Sequence, residues 1–95
     1  MNIQIQSIHF SADTQLKDFI NKKVDKLINI DDSILNAEVF LKMDKPESYN
    51  NKIVEIKLHS TNSEYFAKKQ SNSFEASADL VSQALRKQII KHKEK

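Results

Sequence analysis

The 95-residue chain carries a net charge of +2, with 39% hydrophobic and 29% charged residues. That is enough for one two-layer core and too little for a second domain or a deep, enclosed substrate cavity, so a single domain over residues 1–95 is expected. Cysteine and glycine are both absent. The first absence excludes disulfides, thiolate nucleophiles and sulfur-ligated zinc; the second removes the positive-φ residues that phosphate-cradling and dinucleotide loops need, so ATPase, GTPase and dehydrogenase readings fall away. No apolar run approaches the roughly 20 residues of a membrane span. The start, Met1 to Ile5, alternates apolar and polar instead of joining a basic segment to an apolar one, and a cytoplasmic protein is expected.

In chain order, Ile3 and Ile5 at period two, followed by Ile8 and Phe10, predict a first strand over residues 2–10 that bends or bulges near Ser7. Asp13 is a candidate N-cap. After it Leu16, Phe19, Ile20, Val24, Leu27 and Ile28 recur at helical spacing, predicting an amphipathic helix that ends near 29–33. Residues 34–43 alternate, with Ala37, Val39, Leu41 and Met43 assigned to the core and Glu38, Phe40 and Lys42 to the other face. The stretch from Asp44 to Asn51, with the only proline (Pro46), reads as a loop or loose hairpin connection. Val54, Ile56 and Leu58 mark a third strand, and Glu64 to Lys69 a more weakly patterned fourth. Gln70 to Ser73 offer helix caps, and Phe74, Ala78, Val81, Leu85 and Ile89 form the stripe of a second helix running to the C-terminus. The order β-α-β-β-β-α predicts an α+β two-layer sandwich. Three adjacent strands form antiparallel hairpins, the first joins through a right-handed crossover, and both helices cover one face of a four-stranded sheet.

The charge is unevenly distributed. Residues 1–85 sum to −2, whereas residues 86–95 hold Arg86, Lys87, Lys91, Lys93 and Lys95 against Glu94, an excess of +4. On a helical projection Lys22, Lys23 and Lys26 border the apolar sector of the first helix, with Lys23 so close to it that it must snorkel or meet something polar. In the second helix Lys87, Lys91 and Lys95 follow Leu80 and Ala84 along one flank, and Arg86 and Lys93 line the other side of the apolar stripe. A lone basic helix end is commonly just a solvated face. Two matched stripes point instead to a folded RNA backbone, whose phosphates take Lys and Arg without base readout.

On the outward sheet face, Phe40 and Phe66 sit beside Lys42, Lys57, His59 and Lys68. This resembles a base-stacking platform, although single-strand RNA-recognition sheets use the order βαββαβ and glycine-bearing motifs; cross-strand pairing of the two phenylalanines is the plainer alternative. His9, His59 and His92 have no metal-ligand spacing. Acid–base nuclease chemistry would need His59 with a nearby Lys or Glu55, against the ordinary reading of a solvated histidine, and His92 reads as a packing or rim residue. No catalytic residue, metal or cofactor is expected.

With these elements in place, the chain resembles the short ribosome hibernation-promoting factors, the family that includes ribosome-associated inhibitor A and was once called sigma-54 modulation protein. The resemblance is carried by Met1-Asn2-Ile3-Gln4-Ile5-Gln6, by Leu16 to Leu27 in the first helix, by Ala37-Glu38-Val39-Phe40-Leu41-Lys42, by Phe74-Glu75-Ala76 through Asp79-Leu80, and most specifically by Ala84 to Lys95. It implies a fold similar in shape to double-stranded RNA-binding domains. It also implies binding to the small ribosomal subunit (16S rRNA) where messenger RNA and the A- and P-site transfer RNAs otherwise lie, which stops translation and protects idle ribosomes under stress or in stationary phase. By position the family's basic residues match Lys23, Lys26, Lys42, Lys87, Lys91 and Lys93; Lys22, Arg86 and Lys95 are added by the projection alone. The chain departs from relatives at Lys68-Lys69-Gln70 and at Ser82, a helix position that is commonly apolar. No counterpart of the C-terminal domain through which long relatives pair ribosomes is expected. The expectation is a monomer off the ribosome, with any ribosome dimerisation left to a separate factor. A general double-stranded RNA-binding module is the alternative.

Overall fold

The computed structural model describes residues 2–8, 10–45, 47 and 49–93, with Asn2 described in its backbone only. Met1, His9, Pro46, Glu94 and Lys95, all used in the reading above, lie outside the described residues. The chain runs β1 (Asn2–Ser7), α1 (Thr14–Ile28), β2 (Ile34–Met43), β3 (Lys52–Ser60), β4 (Glu64–Ser71) and α2 (Phe74–Lys93). The strands lie side by side in the order β1-β2-β3-β4. β1 is parallel to β2 and the other two pairings are antiparallel, as expected for one helical crossover followed by hairpins.

The expected break in β1 occurs where the parity of its isoleucines changes. The strand ends at Ser7, and Ile8 rejoins the sheet by donating its backbone N–H to Leu41 O at 2.9 Å. Phe10 then leaves the sheet and stacks on Phe74 at the first turn of α2, with ring centroids 5.0 Å apart. Asp13 caps α1 as predicted, its carboxylate accepting from the Leu16 N–H at 2.8 Å. Ser73 does the same for α2, its hydroxyl accepting from the Ala76 N–H at 3.1 Å.

One bulge in β2 was not anticipated. Ile34 pairs with Ser60 and Asn36 with His59, leaving Leu35 as the extra residue. The insertion shifts the side-chain phase by one, so Ile34 and Ala37 both face inward although their numbers differ in parity, and Leu35 is exposed. Met43 departs from the expected core. It ends β2 opposite the first residue of β3, Lys52, and is 45% exposed because the sheet closes there with few neighbours to cover it.

The remaining predicted core holds: Leu16, Ile20, Val24 and Leu27 of α1 pack with Val39, Leu41, Val54, Ile56 and Leu58 of the sheet and Ala78, Val81, Leu85 and Ile89 of α2 in one cluster. At its rim Ser77 is fully buried, and it is satisfied there. Its hydroxyl donates to Lys52 O at 2.6 Å and lies 2.8 Å from Ser71 Oγ, tying the start of α2 to β3 and β4. Asn51 is buried in the β2–β3 connection, where its amide donates to Lys45 O at 3.3 Å. No helix among the described residues is long and apolar enough to cross a membrane.

Candidate nucleic-acid interface

Because both helices spend their apolar stripes on one sheet face, their polar flanks meet along a seam. That seam is an open cleft of about 380 Å³ whose walls carry Lys23, Lys26, Leu27 and Ile30 from α1 and its exit, and Asp79, Ser82, Gln83 and Arg86 from α2. Three cations thus face one carboxylate. The polar partner that Lys23 required is Asp79: the ammonium donates to Asp79 Oδ1 at 2.8 Å and lies 5.4 Å from the Phe19 ring centroid. That hydrogen bond and the Lys23 charge hold the Asp79 carboxyl below the ordinary carboxylate range, with a smaller contribution from the Gln83 amide. The Ser82 hydroxyl is buried on the cleft wall with no hydrogen-bond partner among the described residues.

The predicted residues therefore separate into groups. Lys23, Lys26 and Arg86 converge in the cleft, and Lys22 is exposed farther out on the same flank of α1. Lys93 closes one end, its ammonium donating to Ile30 O at 2.6 Å across 63 residues of chain. Lys91 lies on the other flank of α2, in a recess with Ser63, Glu64, Tyr65, Gln88 and His92 beside β4, and Lys87 precedes it by one turn on the same exposed flank. Lys42 is not part of either group. It stands on the outward sheet face with its ammonium 2.6 Å from Glu55 Oε2. Lys95 lies outside the described residues.

The last turn of α2 is held by contacts that sequence reasoning missed. Tyr65 on β4 donates its hydroxyl to Asp31 Oδ2 at 3.3 Å and packs edge-on against the His92 ring, with centroids 5.8 Å apart. Asp31 also accepts from Ser33 N at 3.0 Å and Ser33 Oγ at 2.8 Å, and His92 Nε2 lies 3.1 Å from Ser63 Oγ. The Ser33 backbone bond and then the Ser33 hydroxyl lower the Asp31 pKa most; burial opposes them, and the Tyr65 hydroxyl and the Lys93 charge add smaller lowering effects. Burial, then the Asp31 charge, raises that of Tyr65. A lowered carboxylate pKa means that the unfolded chain binds the proton more readily, so stability from Asp31 is present above the ordinary value of about 3.9 and is lost as pH falls through the lower folded value. The unfolding temperature of the wild type should therefore exceed that of an Asp31→Asn variant at neutral pH, and the gap should close on acidification below about pH 3.9. A gap that stays constant with pH would mean that the Ser33 bonds and the neighbouring groups do not favour the ionised Asp31 side chain.

The outward sheet face has a different character. Its cross-strand rungs run Gln4–Glu38–Lys57–Phe66 and Gln6–Phe40–Glu55–Lys68, so cations and carboxylates alternate. Phe40 and Phe66 are not cross-strand partners, since β3 separates them and places Glu55 and Lys57 opposite them. His59 Nε2 lies 2.9 Å from Glu38 and Nδ1 3.2 Å from Glu64. Glu55, the acid–base partner considered for His59, is four residues away along the same strand, about 13 Å at strand rise. Among the described residues no group of three or more His, Cys, Asp or Glu side chains could hold a metal ion.

Comparison with known proteins places this arrangement in a wider set. A ribosome hibernation promoting factor of Azotobacter vinelandii is 27% identical over 95 residues, which cover all of this chain and 85% of that protein. The structure of a ribosomal subunit interface protein from Coxiella burnetii superposes with a TM-score of 0.89 at 24% identity over the full length of both chains. The Protein Y N-terminal domain of Thermus thermophilus does so with a TM-score of 0.80 at 20% identity, over 94% of this chain and 96% of that one. These two share the fold. The sequence model of the family described as Sigma 54 modulation protein / S30EA ribosomal protein matches residues 3–95, and the chain belongs to that family.

Proposed function

We propose that this protein is a ribosome hibernation factor of the cytoplasm. It binds the small ribosomal subunit through 16S rRNA in the channel that messenger RNA and the A- and P-site transfer RNAs otherwise occupy, inhibits translation and protects idle ribosomes under stress or in stationary phase. It acts by occupation and catalyses no reaction. It is a monomer off the ribosome and leaves any ribosome pairing to a separate factor. The observation that carries this reading is the inter-helix cleft, where Lys23, Lys26 and Arg86 converge in a member of this family. The names of its relatives, ribosome hibernation promoting factor and ribosomal subunit interface protein, support it. Lys22 and Lys93 extend this cationic surface, Lys87 and Lys91 offer a second contact on the other flank of α2, Lys42 offers a third from the sheet side, and Lys95 is assigned an RNA contact from its sequence position alone.

Phosphate contacts by Lys and Arg release condensed counterions, so binding weakens steeply with salt. Six or more such contacts predict a loss of about a thousandfold in affinity for vacant small subunits between about 50 and 200 mM salt. Co-sedimentation over a salt series measures this. No binding at low salt would sink the reading, and equal affinity for arbitrary duplex RNA would replace it with that of a general double-stranded RNA-binding module.

A further inference from the structure

Among the lining residues of the inter-helix cleft, Asp79 is the one carboxylate, and it is fixed in place. It accepts from Lys23 at 2.8 Å through Oδ1 and from the Gln83 amide at 3.3 Å through Oδ2. The Lys23 and Asp79 side chains are 27% and 47% exposed, so the pair sits at the cleft mouth where an anion from solvent can reach the ammonium. An exposed ion pair of this kind is weak and readily exchanged. Arg86 and Lys26 line the same cleft and would hold a polyanion beside it.

We propose that the Asp79 carboxylate is a built-in competitor for RNA phosphate: it occupies Lys23 in the free protein and yields it when a backbone phosphate enters the inter-helix cleft. The inference rests on the RNA-binding reading above and assigns Asp79 a tuning role within it. Lys23 exchanges one anion for another, so part of the attraction gained at the phosphate is offset by the attraction lost at Asp79. A ligand with one phosphate gains little by displacing Asp79, whereas a strand that already engages Lys26 and Arg86 brings its next phosphate at high effective concentration. The cleft is thereby biased towards extended, folded RNA over small anions.

Asp79→Asn keeps the side-chain size and removes the competing charge. It should tighten co-sedimentation with vacant small subunits about fivefold at low salt, the effect of one charge pair about 4 Å apart in water. The slope of log affinity against log salt should stay nearly unchanged, because the same phosphates are neutralised and the counterions released are those condensed on the RNA. Asp25→Asn, on the solvent face of α1, should change affinity less than twofold. Unchanged binding by the Asp79→Asn protein overturns the proposal, and weaker binding does too, because it would make Asp79 a positioning residue for Lys23. An equal gain from Asp25→Asn would assign the effect to net charge and also overturns it. If Asp79→Asn fails to fold, Asp79→Ser is read by the same criteria, and failure of both to fold assigns the pair to structure and against competition. Absence of wild-type binding would defeat the functional reading itself, a result distinct from all of these.

Discussion

Replacing Lys87, Lys91 and Lys93 together by alanine is expected to weaken binding to vacant small subunits on the order of a hundredfold at about 0.1 M salt. Each lost phosphate contact removes roughly 0.7 to 0.9 from the salt slope, so three contacts amount to about two powers of ten at that concentration. The three lysines are not equivalent. Lys87 and Lys91 are exposed, and their replacement should leave the unfolding temperature nearly unchanged. Lys93 also donates to Ile30 O, so its loss loosens the contact between α2 and the exit of α1. The Lys87→Ala/Lys91→Ala double variant therefore separates affinity from stability, and Lys93→Ala reports on both. Lys57→Ala and Lys68→Ala, on the alternating outward sheet face, should bind as the wild type does. Loss of binding from those two equal to that from the α2 lysines would move the interface to the sheet.

Leu85→Ala should lower stability by about 2–5 kcal/mol, the range for deleting most of a leucine from a packed interior. Leu85 is fully buried in the single core cluster that joins both helices to the sheet, and no exposed surface can collapse into the space it leaves. A domain of this size has about 5–15 kcal/mol in total, and each kilocalorie shifts Tm by about 4–8 °C. A fall of at least about 8 °C is expected, with denaturant unfolding as the second readout. Leu85 lies between Arg86 on the cleft side and the Lys87–Lys91 flank, so the variant also loosens the element on which both cationic groups are mounted. A cost below about 1 kcal/mol would mean that α2 is not packed as tightly as its burial indicates.

Much of the fold was legible because it is written in local periods. Asp13 capped the helix it preceded, the stripe from Phe74 to Ile89 was buried as spaced, and the change of isoleucine parity marked a break near Ser7, although the strand expected over residues 2–10 ends there. The errors fell where a neighbour decides. Met43 continued an alternating pattern but lost its cover at the sheet end, and the bulge at Leu35 breaks the alternation between Ile34 and Ala37, where two adjacent apolar residues leave either one able to face inward. Phe40 and Phe66 shared a face, but pairing them required the strand between them to be ignored.

The sequence by itself determined the element order, the buried stripe of each helix and the presence of cations beside both stripes. A 3.6- or 2-residue period sets which side of an element turns inward whatever lies opposite. Only the tertiary structure decided that the Arg86 and Lys93 flank of α2 is the one facing Lys23 and Lys26, and that the Lys87 and Lys91 flank lies towards β4. It also decided that Lys23 meets Asp79 across 56 residues and that Asp31 joins Tyr65 across 34. Such contacts depend on how two finished elements are rotated and placed against each other. That placement is set by the packing of the whole core, which no local period records.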